Sequence, residues 1–356
     1  MSVPDSFKAA ILPAAGGQHI VSDRSQASLQ PGEVGIKVTA TAINPVDWKI
    51  RKYRVFLTEY PAVLGSDAAG EVVAVAPDVQ DFAIGDRVFF QGIIGRYDYS
   101  TFQQYAKMPA ALVAKTPSNI SDDEAGGISL ATVAVITAFY DETGNGLAAP
   151  WTKDGRKAGA GKAIVILGGS SSVGQYAIQF ARLSGYDKII TNASPPHHDF
   201  LKGLGAHVVL DRSTTSSPEN FKSAIGGLPL DFVFDAISIK DTQILGVKIL
   251  QLTDTKNSHV VTVQGKDADA ENSGESQEPK VQVKQVMGMG SNPALRYLVA
   301  PLWKHLGGED GYIAKGEFKP NRPVVVSGGL NGLEDALDKS EKGVSGVKVI
   351  IRPHDA

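Results

Sequence analysis

Apolar and polar positions follow two different rhythms along this 356-residue chain. Up to about residue 127 the apolar residues come in short runs broken by Gly, Pro and Asp, as at residues 34–40, 70–75 and 86–90. Short β segments with frequent turn residues predict a compact, irregular β-barrel-like domain. From about Asp122 the pattern turns helical, and residues 125–140 are apolar on nearly every side, which predicts a buried helix.

A loop rich in Gly, Pro and Lys, residues 143–161, leads into alternating strand and helix patterns. Strands are expected at 163–167, 188–192 and 207–210, with helical stretches at 173–184 and 200–204 between them. Repeated strand and helix units of this length predict a parallel sheet with crossover helices. Further strands are expected at 231–235 and 258–263, and then a polar, acidic stretch, 265–280, without apolar periodicity, which is expected to be an exposed loop. The last 60 or so residues predict helices at 294–305 and 333–341 and a final strand at 347–351. No internal repeat is found.

Composition narrows the chemistry. The chain has no cysteine, which excludes disulfides, thiolate zinc sites and cysteine nucleophiles together. Its seven histidines are dispersed apart from His197 and His198, and none forms a His-Glu-x-x-His motif, so no metal site is expected. Lys and Arg number 35 against 38 Asp and Glu, a net charge of −3 with no basic run, which gives no footprint for nucleic acid or an anionic membrane. The longest apolar run, about residues 128–140, falls short of the roughly 20 residues a membrane-spanning helix needs. Asp5 and Lys8 stand where a signal peptide would have its apolar core, so a cytoplasmic protein is expected.

The strongest local signal is Gly168-Gly169-Ser170-Ser171-Ser172-Val173-Gly174, between an expected strand and an expected helix. Free N–H groups and the positive end of the dipole at a helix start suit a pyrophosphate. Ser171 stands at the middle glycine position of the usual fingerprint, so Ser170, Ser171 and Ser172 could donate hydroxyls to phosphate oxygens; an ordinary Gly/Ser turn is the plainer reading. Cofactor choice is read at the end of the second strand. That strand runs into Ser194-Pro195-Pro196-His197-His198, with no acid before Asp199, which favours NADP(H) over NAD. Ser194 could bond the 2′-phosphate, and His197 or His198 could add positive charge when protonated.

Asn44-Pro45-Val46-Asp47, residues 65–72, the turn at 85–88 and the loop at 168–174, in this order, resemble the medium-chain dehydrogenase/reductase superfamily over nearly the whole chain. The resemblance implies an α/β protein, with a GroES-like β-barrel catalytic domain and a doubly wound parallel-sheet Rossmann domain. It places the first domain at 1–127, completed by 293–356, and the Rossmann domain at 128–292, with the nicotinamide in the cleft between them. Where zinc alcohol dehydrogenases have a ligating Cys and Gly-His-Glu, this chain has Asn44-Pro45 and Gly65-Ser66-Asp67. The Tyr-x-x-x-Lys device of short-chain dehydrogenases is also missing.

What remains is similar to the zinc-independent branch of quinone, double-bond and enoyl reductases, and to fungal trans-acting enoyl reductases of polyketide pathways. The expected reaction is NADPH-dependent hydride transfer to the C=C of an enone or enoyl substrate. A quinone reductase and a non-catalytic NADP-binding protein are the alternatives. Catalytic candidates are Asn44, Lys49 and Tyr53; each has a plainer reading, as a turn residue, a solvated lysine and a packed edge tyrosine. Lys49 aligns with a lysine of related enoyl reductases. Cofactor candidates by position are Pro45, Thr132, Gly169, Ser170, Ser171, Ser172, Val173, Ser194, His197, Ile237, Val263, Met287, Met289 and Lys348, the last resembling a lysine that reaches cofactor phosphate. Thr132, like Thr137, could instead bond its own helix. Expected partners are the small enone or enoyl molecule and, by resemblance, a polyketide synthase, with the chain a monomer or homodimer.

Overall fold

The structure, a computed structural model, describes residues 3–356. The chain divides into two compact units, one built from residues up to Leu130 together with Gly290–Ala356, the other from Ala131–Met289.

The second unit is one six-stranded parallel sheet. Its strands are β1 (Ala163–Leu167), β2 (Lys188–Ala193), β3 (Val208–Asp211), β4 (Leu230–Asp235), β5 (His259–Thr262) and β6 (Gln282–Gln285). They lie in the order β3-β2-β1-β4-β5-β6, all neighbours parallel. This doubly wound order reverses beside β1, at the point where open α/β sheets bind ligands. All five residues of β1 are buried, as a central strand covered on both faces requires. The 265–280 segment, expected to be a loop, instead contains the helix Ala268–Ser276. Asp267 caps it by accepting from the N–H groups of Asp269 and Ala270. Its buried face consists of Ala270 and Gly274, so small residues, not large apolar ones, carry the helical period.

At the opposite end of this sheet from the strand C-termini, His259 opens β5. Its Nε2 is buried without a hydrogen-bond partner among the described residues. Burial, reinforced by the Lys284 ammonium, pushes the imidazole pKa down to about 4. The unfolded chain, with a histidine near 6.5, binds the extra proton first. His259 therefore stabilises the fold above pH 6.5, and this contribution, on the order of 3 kcal/mol, is lost as pH falls from 6.5 to 4. Urea unfolding at pH 7.5 and pH 4.5 should show a smaller acid loss for His259→Gln than for the wild type; parallel losses would contradict this.

The first unit combines two sheets. A small antiparallel one has the order Ile20–Arg24, Phe7–Leu12, Ala62–Val63. The larger has the order Arg322–Val325, Val347–Ile351, Glu33–Ala42, Ala68–Val75, Arg87–Phe90, Val113–Lys115, with Tyr105–Pro109 also on Glu33–Ala42. The final strand thus returns to the first unit, pairing Ile350 with Ala42 and Ile351 with Thr41. Its core joins Leu12, Ile43, Ile50, Leu64 and Phe102 to Leu333, Leu337 and Ile351. Arg51 and Lys52 on the helix Pro45–Tyr53 pair with Glu334, Asp338 and Glu341 on the helix Leu333–Glu341, fixing one helix to the other.

Residues 125–140 are not one helix. A short turn, Asp122–Ala125, is capped by Ser121, and a second helix, Ser129–Tyr140, follows after Gly126 and Gly127. Two consecutive glycines raise the cost of continuing the helix. Among the described residues no helix is long and apolar enough to cross a membrane.

Candidate functional site

In the second unit the C-terminal ends of the strands carry most of the expected cofactor residues. Gly168 leaves β1 with φ +80°, a conformation that favours glycine, and a Cβ there would meet Ile237 Cδ1 at 2.4 Å. The Ser171 N–H donates to the Gly168 carbonyl (3.0 Å), closing a tight turn. Ser171 is then the N-cap of the helix Ser172–Leu183, its Oγ accepting from the Gly174 N–H at 3.0 Å. Gly169, Ser170, Ser171, Ser172 and Val173 therefore do form the expected turn into a helix N-terminus, half open to solvent except for buried Gly169. First-turn N–H groups and the helix dipole there suit a diphosphate.

Asn192, the penultimate residue of β2, holds this loop. Its Oδ1 accepts from the Gly168 N–H at 2.8 Å, its carbonyl accepts from the Gly169 N–H at 3.1 Å, and its Nδ2 donates to Ser216 Oγ at 3.1 Å. In the sequence Asn192 is only the last residue of the expected strand at 188–192; an asparagine at the end of a buried strand, opposite a glycine turn, is the signal that marks it. Ser194 follows, half-buried, its hydroxyl without a hydrogen-bond partner among the described residues. His197 ends the turn Pro195–His197, and His198 places its Nε2 3.1 Å from the Ala193 carbonyl. No acid lies on this stretch before Asp199, but the sheet sets Asp211, at the end of β3, directly beside Ala193.

At the end of β4, Asp235 builds the turn that carries Ile237. It accepts from the N–H groups of Ile237 (3.0 Å) and Ser238 (2.9 Å) and from the Thr242 hydroxyl (2.7 Å). Burial raises its pKa against these bonds. The Ser238 hydroxyl donates to the Asp235 carbonyl and accepts from the Val263 N–H, so Ile237 and Val263 are positioned by one buried serine. Met287 and Met289, after β6, are 51% and 45% exposed. Thr132 is fully buried, and the Thr137 hydroxyl donates to its own helix at the Val133 carbonyl.

In the first unit the structure assembles Asn44, Asp47, Asp67 and Lys348 into one buried polar cluster. Asn44 is the N-cap of the helix Pro45–Tyr53, with Pro45, exposed, at the first helical position. Its N–H donates to Asp47 Oδ2 at 2.8 Å and its Nδ2 to Asp67 Oδ2 at 3.0 Å. Its Oδ1 accepts from Lys348 Nζ at 2.6 Å, and the same ammonium lies 3.4 Å from Asp67 Oδ2. Strand pairing brings Lys348 here, since the Ile43 N–H donates to the Val349 carbonyl at 2.9 Å. Gly127 lets the stem pass, because a Cβ there would lie 2.7 Å from Lys348 Cγ. The ammonium expected to reach a cofactor phosphate is thus buried and bonded to Asn44 and Asp67 in the structure.

Burial pushes the Asp47 carboxyl up to about 7, against the lowering effect of the Asn44 N–H and Lys348. Asp67 is likewise raised by burial, opposed by Lys348 and by the Leu130 N–H, which donates to it at 2.7 Å. Lys49 and Tyr53 lie further along the helix. The Lys49 ammonium sits 5.5 Å from the Trp48 ring centre, its pKa lowered by burial, and Tyr53 is 56% exposed. The structure therefore joins Asn44 to Lys348 but leaves Lys49 and Tyr53 outside the cluster. Among the described residues no three or more His, Asp or Glu side chains are grouped to hold a metal ion.

A doubly wound parallel sheet whose central strand runs through a glycine turn into a helix N-terminus has the architecture of the dinucleotide-binding domain of oxidoreductases. The comparisons agree. The alcohol dehydrogenase GroES-like domain matches residues 30–118, and the zinc-binding dehydrogenase domain matches residues 172–274. Trans-enoyl reductase himH of Aspergillus japonicus is 32% identical over 90% of this chain and 89% of its own length. Trans-enoyl reductase tndF of Aspergillus flavipes is 31% identical over 97% and 98%. Among solved structures, an alcohol dehydrogenase superfamily protein from Novosphingobium aromaticivorans shares the fold, with a TM-score of 0.76 at 22% identity over 96% and 99% of the two chains. The chain belongs to the medium-chain dehydrogenase/reductase superfamily.

Proposed function

We propose that the protein is a zinc-independent, NADPH-dependent reductase that saturates the C=C bond of an enone or enoyl substrate. The observation that carries this reading is the coincidence of 32% identity to a trans-enoyl reductase with a first-unit cluster containing neither thiolate nor imidazole. The side chains at positions 44 and 66 are an amide and a hydroxyl, neither of which would anchor zinc as Cys and His do.

When bound, NADPH supplies the hydride. Saturating the C=C bond would take that hydride at the β-carbon and one proton, from water, at the α-carbon. This chain's part is to bind and orient. The turn Gly168–Ser171 and the helix start at Ser172 would hold the diphosphate, Ser194 the 2′-phosphate, and Ile237, Val263, Met287 and Met289 would offer apolar surface to the rest of the cofactor. Asn44, locked on both faces by Asp67 and Lys348, orients the neighbouring backbone. Lys49 and Tyr53, on the same helix and not fully buried, are the groups able to donate to a developing oxyanion. A synthase-borne enoyl thioester is the substrate that the trans-acting relatives make the first to try.

NADPH consumption over a panel of enones, enoyl thioesters and quinones tests the reading. Enones or enoyl thioesters should be reduced, with turnover unchanged after exhaustive treatment with a zinc chelator. Turnover of quinones alone would replace the C=C assignment. NADPH binding without consumption across the panel would leave only the nucleotide site.

A further inference from the structure

Beyond β6 the chain runs Val286-Met287-Gly288-Met289, and burial alternates along it: Val286 is buried, whereas Met287 and Met289 are both exposed. Two contacts fix this segment. The Val286 N–H donates to the Thr262 carbonyl at 3.0 Å, which ties it to the end of β5. Gly288 lies so close to the helix Ser129–Tyr140 that a Cβ there would sit 2.6 Å from both the N and the Cα of Ala134. Across it the Met289 N–H donates to the Met287 carbonyl at 2.9 Å, closing a tight turn. The two thioether side chains therefore stand on backbone that is anchored to strand and helix, at the end of the sheet that also carries the glycine turn.

Among the described residues these two methionines carry the only sulfur atoms that solvent reaches. The chain has no cysteine and four methionines, of which Met108 is fully buried in the first unit and the fourth is Met1. Any oxidant that acts on sulfur in the folded second unit therefore acts at this turn. A thioether is soft, apolar and polarisable, and suits contact with a flat ring; its sulfoxide is polar and chiral. Leucine would offer similar apolar surface without that chemistry.

We propose that Met287 and Met289 form an oxidation site through which a hydroperoxide lowers the affinity of the second unit for its cofactor. At each sulfur one S–O bond forms and the O–O bond of the peroxide breaks. The sulfur gives up two electrons, the peroxide takes them, and the proton of the transferred oxygen leaves with the departing oxygen as water or an alcohol. A sulfoxide pressed against apolar cofactor surface loses its hydration without gaining a partner. The backbone cannot withdraw to relieve this, because Val286 is bonded to Thr262 and Gly288 is seated on Ala134. Methionine sulfoxide reductases reverse the change, so the result is a reductase whose hold on NADPH weakens as oxidant rises. The inference rests on the reading of these residues as cofactor surface, and its test separates the two.

The full chain is treated with hydrogen peroxide, mapped by peptide mass spectrometry and titrated with NADPH by fluorescence. Sulfoxide should form at Met287 and Met289 ahead of Met108, and more slowly when saturating NADP+ is present during the treatment. NADPH affinity should fall at least about tenfold, and the two stereospecific methionine sulfoxide reductases together should restore it. In the double variant Met287→Leu, Met289→Leu the same treatment should move that variant's own affinity by less than about twofold. Complete oxidation of both residues with NADPH affinity unchanged, or an equal loss in the leucine variant, overturns the oxidation site and leaves the cofactor reading standing. Oxidation at one rate with and without NADP+ overturns the contact of these residues with the cofactor and the inference with it. Failure of the untreated protein to bind NADPH overturns both.

Discussion

Lys348→Met should destabilise the first unit by about 3–5 kcal/mol at pH 8, the cost of leaving a buried charge without its partner. The Lys348 side chain is 5% exposed and that of Asp67 fully buried. Methionine fills the volume of the stem along Gly127, so packing is largely kept and the charge is what goes. Asn44 loses the donor to its Oδ1, and Asp67 loses the ammonium that opposes the effect of burial on its pKa. Both Asp47 and Asp67 then gain affinity for protons in the folded state. The sign follows directly. A carboxyl raised in the folded state binds more protons folded than unfolded, so stability rises as pH falls. The deficit of Lys348→Met relative to the wild type should therefore shrink between pH 8 and pH 5. Urea unfolding at the two pH values measures it. A loss below 1 kcal/mol, or one that does not change with pH, would mean that the lysine acts through its stem alone.

This cluster also marks how far the sequence could be read. The strands at 163–167 and 347–351 were legible as short runs rich in β-branched apolar residues, and the helix at 333–341 because its buried Leu333, Ala336 and Leu337 recur at helical spacing. The turn at 168–174 was legible because its chemistry is local. The contact of Lys348 with Asn44 was not, since the two are 304 residues apart and nothing in a lysine between two valines announces an internal bond. The pairing of Asp211 with Ala193 escaped for the same reason. It depends on which strands become neighbours, and this parallel pair joins segments that are 18 residues apart, as Ile190 and Val208 are. The helix Ala268–Ser276 was missed for a different reason: its buried face uses alanine and glycine, which hydrophobic periodicity does not count.

Gly174→Val should weaken NADPH binding by two orders of magnitude or more, about 2.7 kcal/mol, with a smaller effect on the folding of the second unit. The prediction follows from where the third glycine sits. A Cβ at Gly174 would lie 2.3 Å from the Gly168 carbonyl oxygen and 2.9 Å from Gly169 Cα. These are backbone atoms of the phosphate turn, which cannot rotate away as a side chain can. Either the helix Ser172–Leu183 retreats from the turn or the turn opens, and both break the bond from the Gly174 N–H to Ser171 Oγ that caps the helix. The helix itself is anchored by buried Tyr176, Ile178 and Phe180, so the turn is the softer element and yields first. What is lost is the convergence of N–H groups on one point, which is the whole of a phosphate site of this kind. Gly174→Ala should show a smaller loss of the same kind. Fluorescence titration with NADPH, beside thermal unfolding of the same samples, separates loss of binding from loss of fold. NADPH affinity within threefold of the wild type in Gly174→Val would show that the diphosphate is held elsewhere.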